Sequence, residues 1–212
     1  MAATALREAD VRPVDDLNRY GELHGLTVPA LLRRRAAQAP FKLALSAHSH
    51  RGHRDRLGYA QLVIRMEAMA RGLSSRGLQA AERVALFVSN QAVREAVLTA
   101  LGCWRLGAIV SPLNVRASDE ELRHALALVE PAFVVCMQAE AARVRALYSA
   151  ARVLLLDGPA AAADTWPEPE TEFHAAALPD VARPEDPSVL LFTSGTTCLL
   201  YTSDAADEGL GV

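Results

Sequence analysis

Ser188-Val189-Leu190-Leu191-Phe192 runs into Thr193-Ser194-Gly195-Thr196-Thr197. The first five residues read as a buried strand, apolar without a break after the serine. The next five are hydroxyls around one glycine. Gly195 lets the backbone turn where a Cβ would clash, so successive amides can face one anion. Each Ser or Thr hydroxyl can donate to a phosphate oxygen. A loop leaving a buried strand of an α/β sheet is where such folds bind ligands. The same letters also suit an ordinary Ser/Thr/Gly turn. A Walker-type loop is excluded, because its G-x-x-x-x-G-K-[ST] spacing is absent.

Upstream of that stretch, strand and helix patterns alternate. Thr27 can cap a helix whose Pro29 is tolerated in the first turn. Val28, Leu31, Leu32 and Ala36 form its expected buried face, Arg33-Arg34-Arg35 its solvated side, and Pro40 its end. Residues 43–47 read as a strand and 48–56 as a polar, hairpin-like loop. Residues 59–76 form a second helix, with Leu62, Met66, Ala70 and Leu73 at helical spacing and Gly77 at a left-handed cap. Residues 84–88 are a short apolar strand. A helix over 92–106 turns Val93, Ala96, Val97, Ala100, Leu101 and Trp104 inward. Residues 108–111 make a strand stopped by Pro112. Ser118 and Glu121 form a capping box ahead of Leu122, Ala125, Leu126 and Val129. Residues 132–136, 138–150 and 153–156 complete a strand, a helix and a strand. Residues 157–187, rich in Ala, Pro and acids, read as a surface excursion.

Strands apolar on both sides, alternating with amphipathic helices, imply an α/β fold: a partial doubly wound, mostly parallel sheet with flanking helices. Right-handed crossovers then gather the loops after the strands along one edge, the ligand edge. Asn90 falls there and suits either a pocket role or strand-end turn chemistry.

The bulk numbers exclude several classes. Of 212 residues, 51 % are hydrophobic, enough for a sizeable core, while aromatics are only 5 %. Asp204, Asp207 and Glu208 account for the formal charge of −3, so neither nucleic acid nor an acidic surface is an expected partner. Cys103, Cys136 and Cys198 are scattered, which argues against a disulfide framework or a zinc site and fits a reducing cytoplasm. No signal peptide is seen at the amino end, and charges such as Arg105 break every apolar run before it could span a bilayer. His48, His50 and His53 make H-x-H-x-x-H, set aside as a metal site because no carboxylate or cysteine pattern accompanies it and the loop reads as mobile. Trp104 and Met66 are read as core.

Several stretches together resemble the adenylate-forming enzymes: acyl-CoA synthetases, peptide-synthetase adenylation domains and luciferases. Leu57-Gly58-Tyr59-Ala60-Gln61-Leu62 resembles the family's TYaeL helix start. Arg83 to Asn90 resembles its rVal strand and pN loop. Gly107-Ala108-Ile109-Val110-Ser111-Pro112-Leu113-Asn114-Val115-Arg116 resembles GAvvvPlNpR, and Asp186-Pro187-Ser188 its Dpa lead-in. They occur in the family's order between about residues 27 and 197. Pro112-Leu113-Asn114 is similar to the acyl-CoA synthetase form, where peptide-synthetase domains usually carry PlDp.

The resemblance implies the amino-terminal part of an adenylating domain over 27–197, after a polar lead-in over 1–26. It implies a carboxylate activated on ATP with Mg²⁺ to give an acyl-adenylate, then acyl transfer to CoA. Thr193, Ser194, Gly195, Thr196 and Thr197 are the implied grip on the β- and γ-phosphates. The family's loop continues Gly-x-Pro-Lys-Gly; here it continues Cys198-Leu199-Leu200-Tyr201-Thr202. No catalytic residue of the family has a counterpart, no metal ligand is assigned, and the sequence as it stands is expected to be inactive. Residues 198–212 are expected to be non-native or frameshifted, similar to translated sequencing-adapter DNA. A truncated sheet of this kind is expected to leave an apolar face or edge uncovered. Two alternatives remain: an adenylation domain loading a carrier protein, and a non-catalytic nucleotide- or acyl-binding fragment.

Overall fold

A computed structural model of the chain describes residues 25–159, 162–168, 178–192 and 200–202. Helix α1 (Val28–Gln38) starts as its sequence dictates: Thr27 Oγ1 accepts from the Ala30 amide at 3.3 Å, and Pro29 sits in the first turn. Its buried face differs from the expected one. Pro29 is buried, Val28 is exposed, and Leu32 packs on the core.

Strand β1 (Leu43–His48) pairs antiparallel with β2 (Arg54–Gly58). The polar stretch expected to be a loop therefore contains a strand. Arg54, Asp55 and Arg56 have no strand pattern of their own; pairing with His48, Ala47 and Ser46 imposes it. Helix α2 (Tyr59–Ser75) buries Leu62, Met66, Ala70 and Leu73 as expected, and Met69 besides. Gly77 lies just past its end at φ +88°, the left-handed region where a Cβ is costly.

The centre is a four-stranded parallel sheet. Its strands are β3 (Arg83–Phe87), β4 (Ile109–Pro112), β5 (Phe133–Cys136) and β6 (Arg152–Leu155), in the order β4-β3-β5-β6. Helices α3 (Val93–Arg105), α4 (Asp119–Val129) and α5 (Gln138–Leu147) make the crossovers. Ser118 Oγ accepts from the Glu121 amide at 3.2 Å and Glu121 Oε2 from the Ser118 amide at 2.7 Å, so the capping box forms.

Alternate strand residues enter opposite layers. Val84, Leu86, Val110, Phe133, Val135 and Leu154 join Met66, Met69 and Leu98 of α2 and α3. Ala85, Phe87, Val134, Cys136, Val153 and Leu155 join Leu122, Leu126, Ala141 and Val144 of α4 and α5. Both faces of these four strands are covered, which is the doubly wound α/β arrangement. The expected uncovered face is not found on them.

Helix α3 is rotated from its expected phase. Arg94, Glu95, Leu98, Thr99, Leu101, Gly102, Cys103 and Arg105 are buried, whereas Val93 is exposed. Polar residues occupy the inner face because each finds a partner there. The helix also approaches α2 closely at Gly102, where an added Cβ would lie 2.5 Å from Met69 Cγ and 3.1 Å from the Ala70 amide nitrogen.

Strand β7 (Leu190–Phe192) pairs antiparallel with β8 (Leu200–Thr202), which falls in the stretch expected to be non-native. Just before β7, Val189 bridges Val110 in parallel, so β7 runs in the same direction as the central strands. It is only half-buried, with Leu191 49 % exposed, where a fully buried strand was expected.

Candidate nucleotide-binding edge

Parallel strands put all their carboxyl ends on one edge. That edge carries Val88, Ser89 and Asn90 after β3, and Leu113 and Asn114 after β4. Asn90 opens a 3-10 turn over Asn90–Ala92, capped by Ser89 Oγ accepting from the Gln91 amide at 3.3 Å. Its place is thus explained by turn chemistry. Asn114 Oδ1 accepts from the Arg116 amide at 2.9 Å and so fixes the turn after β4. Gln138 and Asp157, after β5 and β6, are tied by an amide-to-carboxylate bond of 2.6 Å.

Three hydrogen bonds set β7 against β4 and α3. The Val110 amide donates to Ser188 O at 3.0 Å, Trp104 Nε1 to the same carbonyl at 2.8 Å, and Ser111 Oγ to Leu190 O at 3.1 Å. Trp104, read from sequence as core, packs half-buried against the core and also holds the strand. Phe192, the last residue of β7, stands at the carboxyl edge beside β4. Thr193, Ser194, Gly195, Thr196 and Thr197 follow it in the chain and lie outside the described residues.

A buried polar cluster adjoins this edge at the start of α3, and the sequence pattern did not reveal it. Glu95 is fully buried. It accepts from the His50 amide at 3.1 Å and from Arg94 Nη1 at 3.0 Å, and it meets His50 Nδ1 at 3.0 Å. Burial pushes the Glu95 carboxyl up, but the bonds from His50 and Arg94 outweigh it and hold the carboxyl below the usual range. Arg94 also pairs with Asp55 of β2 and with Glu168, and lies 6.0 Å from the Trp166 ring centroid. Trp166 Nε1 donates to Thr99 Oγ1 at 2.7 Å, and Thr99 donates to Glu95 O at 2.7 Å. The loop of the three histidines is thus tied to α3 through His50, and a carboxylate does stand by that histidine. Among the described residues, no three His, Cys, Asp or Glu side chains gather as metal ligands.

A second charged knot fixes the approach to β7. Buried Arg105 donates from Nε to Glu67 at 2.8 Å and from its terminal nitrogens to Leu178 O at 2.6 Å and Pro179 O at 2.8 Å. Arg33 reaches Asp180 at 2.7 Å, so it is not on a purely solvated helix side as expected. Its guanidinium holds the Asp180 carboxyl below its usual range.

The sequence matches the family described as AMP-binding enzyme over residues 32–199. The chain belongs to that family. Among curated relatives of this AMP-binding enzyme is a sulfoacetate–CoA ligase of Cupriavidus necator, 31 % identical over 176 residues, which are 81 % of this chain and 33 % of that protein. An acyl-CoA synthetase of Brucella canis superposes with TM-score 0.65 at 20 % identity, over 84 % of this chain and 33 % of that one. NpsA–ThdA, an artificially fused adenylation–PCP di-domain NRPS from Klebsiella oxytoca, superposes with TM-score 0.64 at 19 % identity, over 86 % and 31 %. The chain spans a third or less of the length of these relatives. Neither described cysteine of this AMP-binding enzyme is poised as a nucleophile. Cys103 and Cys136 are buried and unpaired; burial raises the Cys103 thiol strongly and pushes Cys136 up to about 12.

Proposed function

We propose that this chain is the nucleotide-phosphate-binding part of an ATP-dependent carboxylic acid–CoA ligase. The observation that carries this is the Ser188–Thr197 stretch, in a family match that runs through residue 199, on a strand whose last described residue stands at the carboxyl edge. Thr193, Ser194, Thr196 and Thr197 would donate hydroxyls, and Gly195 a free turn, to the β- and γ-phosphates of ATP. Mg²⁺ enters with ATP as its counterion, and no residue of this chain is assigned to it. Such donors act by position and charge: they steady the pyrophosphate as the carboxylate attacks the α-phosphate, and none serves as nucleophile or base.

CoA is the proposed acceptor, because the 31 %-identical relative is a CoA ligase and Pro112-Leu113-Asn114 has the acyl-CoA synthetase form. The similarity to an adenylation–PCP protein supports the second reading, acyl transfer to a carrier protein. A cytoplasmic location is supported by the described cysteines, Cys103 and Cys136, which are unpaired. Among the described residues, no helix is long and apolar enough to cross a membrane. We assign residues 1–26 to a polar lead-in, 27–197 to an incomplete adenylating domain and 198–212 to non-native or frameshifted sequence. The chain as it stands is inactive on this reading, since Cys198-Leu199 stands where the family carries Gly-x-Pro-Lys-Gly.

The test is carboxylate-dependent ATP–pyrophosphate exchange by the product of the source gene, compared with the present chain. Exchange by the gene product, slowed about tenfold to a hundredfold by Thr196→Ala, is expected. Exchange that is absent with every carboxylate class, or indifferent to Thr196→Ala, overturns the reading. Binding of ATP-Mg²⁺ by the present chain without any exchange by the gene product selects the non-catalytic module.

A further inference from the structure

The edge opposite the carboxyl ends holds an open pocket of about 670 Å³. It lies at the beginnings of β5 and β6 and the end of α2. Arg76, Arg145 and Arg152 line it, with Asp164 as the one carboxylate of its wall among the described residues. Their charges do not balance. Asp164 meets Arg145 at 3.5 Å, a loose pair with both side chains about half-exposed. Among the described residues, Arg76 and Arg152 have no carboxylate partner.

Both are nonetheless held in place. Arg76 Nη1 donates to Gly72 O at 3.0 Å, while its Nε is buried with no hydrogen-bond partner among the described residues. The Arg152 guanidinium stacks 4.1 Å from the Phe133 ring centroid. It also crosses over Gly77, where a Cβ would meet its Nη2 at 3.4 Å. Both guanidinium groups therefore border the same opening at the end of α2, Arg76 turned back one turn to Gly72 and the exposed Arg152 lying over Gly77. Burial lowers the Arg76 pKa with no carboxylate to offset it. Planar guanidinium groups with no carboxylate partner among the described residues, set around one opening, are the chemistry that takes an oxyanion by parallel hydrogen bonds.

We propose that this amino-edge pocket binds a phosphate-class oxyanion through Arg152 and Arg76, with Arg145 drawn in from Asp164. The site is separate from the Thr193–Thr197 loop, which follows the carboxyl end of β7. The ligand is either free phosphate or the phosphate of a nucleotide.

The test is an amide NMR titration of the full chain with inorganic phosphate, repeated with AMP, each against sodium chloride at matched ionic strength. Saturable shifts at Arg76, Gly77 and Arg152 with both probes are expected, and tighter binding of AMP would assign the nucleotide source. Arg152→Gln should weaken binding about tenfold, the loss of one charge-assisted pair. Arg145→Gln, on another element, should weaken it less. Unchanged thermal midpoints in both variants separate lost binding from lost fold. Shifts no larger than those in chloride, or shifts that Arg152→Gln leaves intact, overturn the proposal. So do shifts confined to the Thr193–Thr197 amides, which would leave the phosphate-loop reading standing and this one not.

Discussion

Replacing Glu95 by alanine tests how the hairpin is fixed to the sheet. Three contacts disappear at once: the His50 amide at 3.1 Å, His50 Nδ1 at 3.0 Å and Arg94 Nη1 at 3.0 Å. Removing one partner of a buried ion pair costs about 3–5 kcal/mol when the other charge is stranded. Arg94 is not stranded, because Asp55 and Glu168 remain. The His50 amide is stranded, at about 1–3 kcal/mol. A loss of about 2–4 kcal/mol follows, read from urea unfolding at constant m value. Glu95→Gln keeps an acceptor and the side-chain volume and should lose less. The pH dependence has a fixed sign. Glu95 titrates lower in the folded chain than in the unfolded one, so its contribution is full above the unfolded pKa and is lost as pH falls through the folded pKa. The wild-type and Glu95→Gln curves should therefore converge toward acid. A loss below about 1 kcal/mol for Glu95→Ala, or convergence toward alkaline pH, would refute the argument.

Gly102→Ala gains about 1 kcal/mol of helix propensity but drives a Cβ against Met69 and the Ala70 amide, at about 1–3 kcal/mol; thermal unfolding should show a net loss. Arg105→Met frees the carbonyls of Leu178 and Pro179, and proteolytic cleavage within residues 178–183 should quicken about tenfold or more. Iodoacetamide at pH 8 should leave Cys103 and Cys136 unmodified until denaturant is added, since burial keeps both as thiols; peptide mass mapping reads the outcome.

Much of the fold was legible because the signals were local. The caps at Thr27 and Ser118, the left-handed Gly77 and the apolar strands 84–88 and 132–136 all rest on residues within a few positions of each other. What failed was non-local. The inner face of α3 could not be read, because Arg94, Glu95 and Arg105 are charged and their partners lie far away in sequence at His50, Asp55, Glu67 and Glu168. Strand β2 was missed for the same reason: only its pairing with β1 makes Arg54, Asp55 and Arg56 extended. The histidine triplet was set aside as a metal site for want of a carboxylate, and the carboxylate that does stand by His50 comes from Glu95, far away in sequence. The strand before Thr193 was legible as an element; its half-exposure was not, since it depends on which neighbours cover it.

On the proposed function, Thr193–Thr197 begin the phosphate loop of an adenylating ligase and Cys198 to Val212 do not belong to it. Long-read sequencing of the source DNA across codon 197 tests this most directly. Gly-x-Pro-Lys-Gly in frame after Thr197, followed by several hundred further codons, is expected. Confirmation of Cys198 to Val212 followed by a stop codon would contradict it.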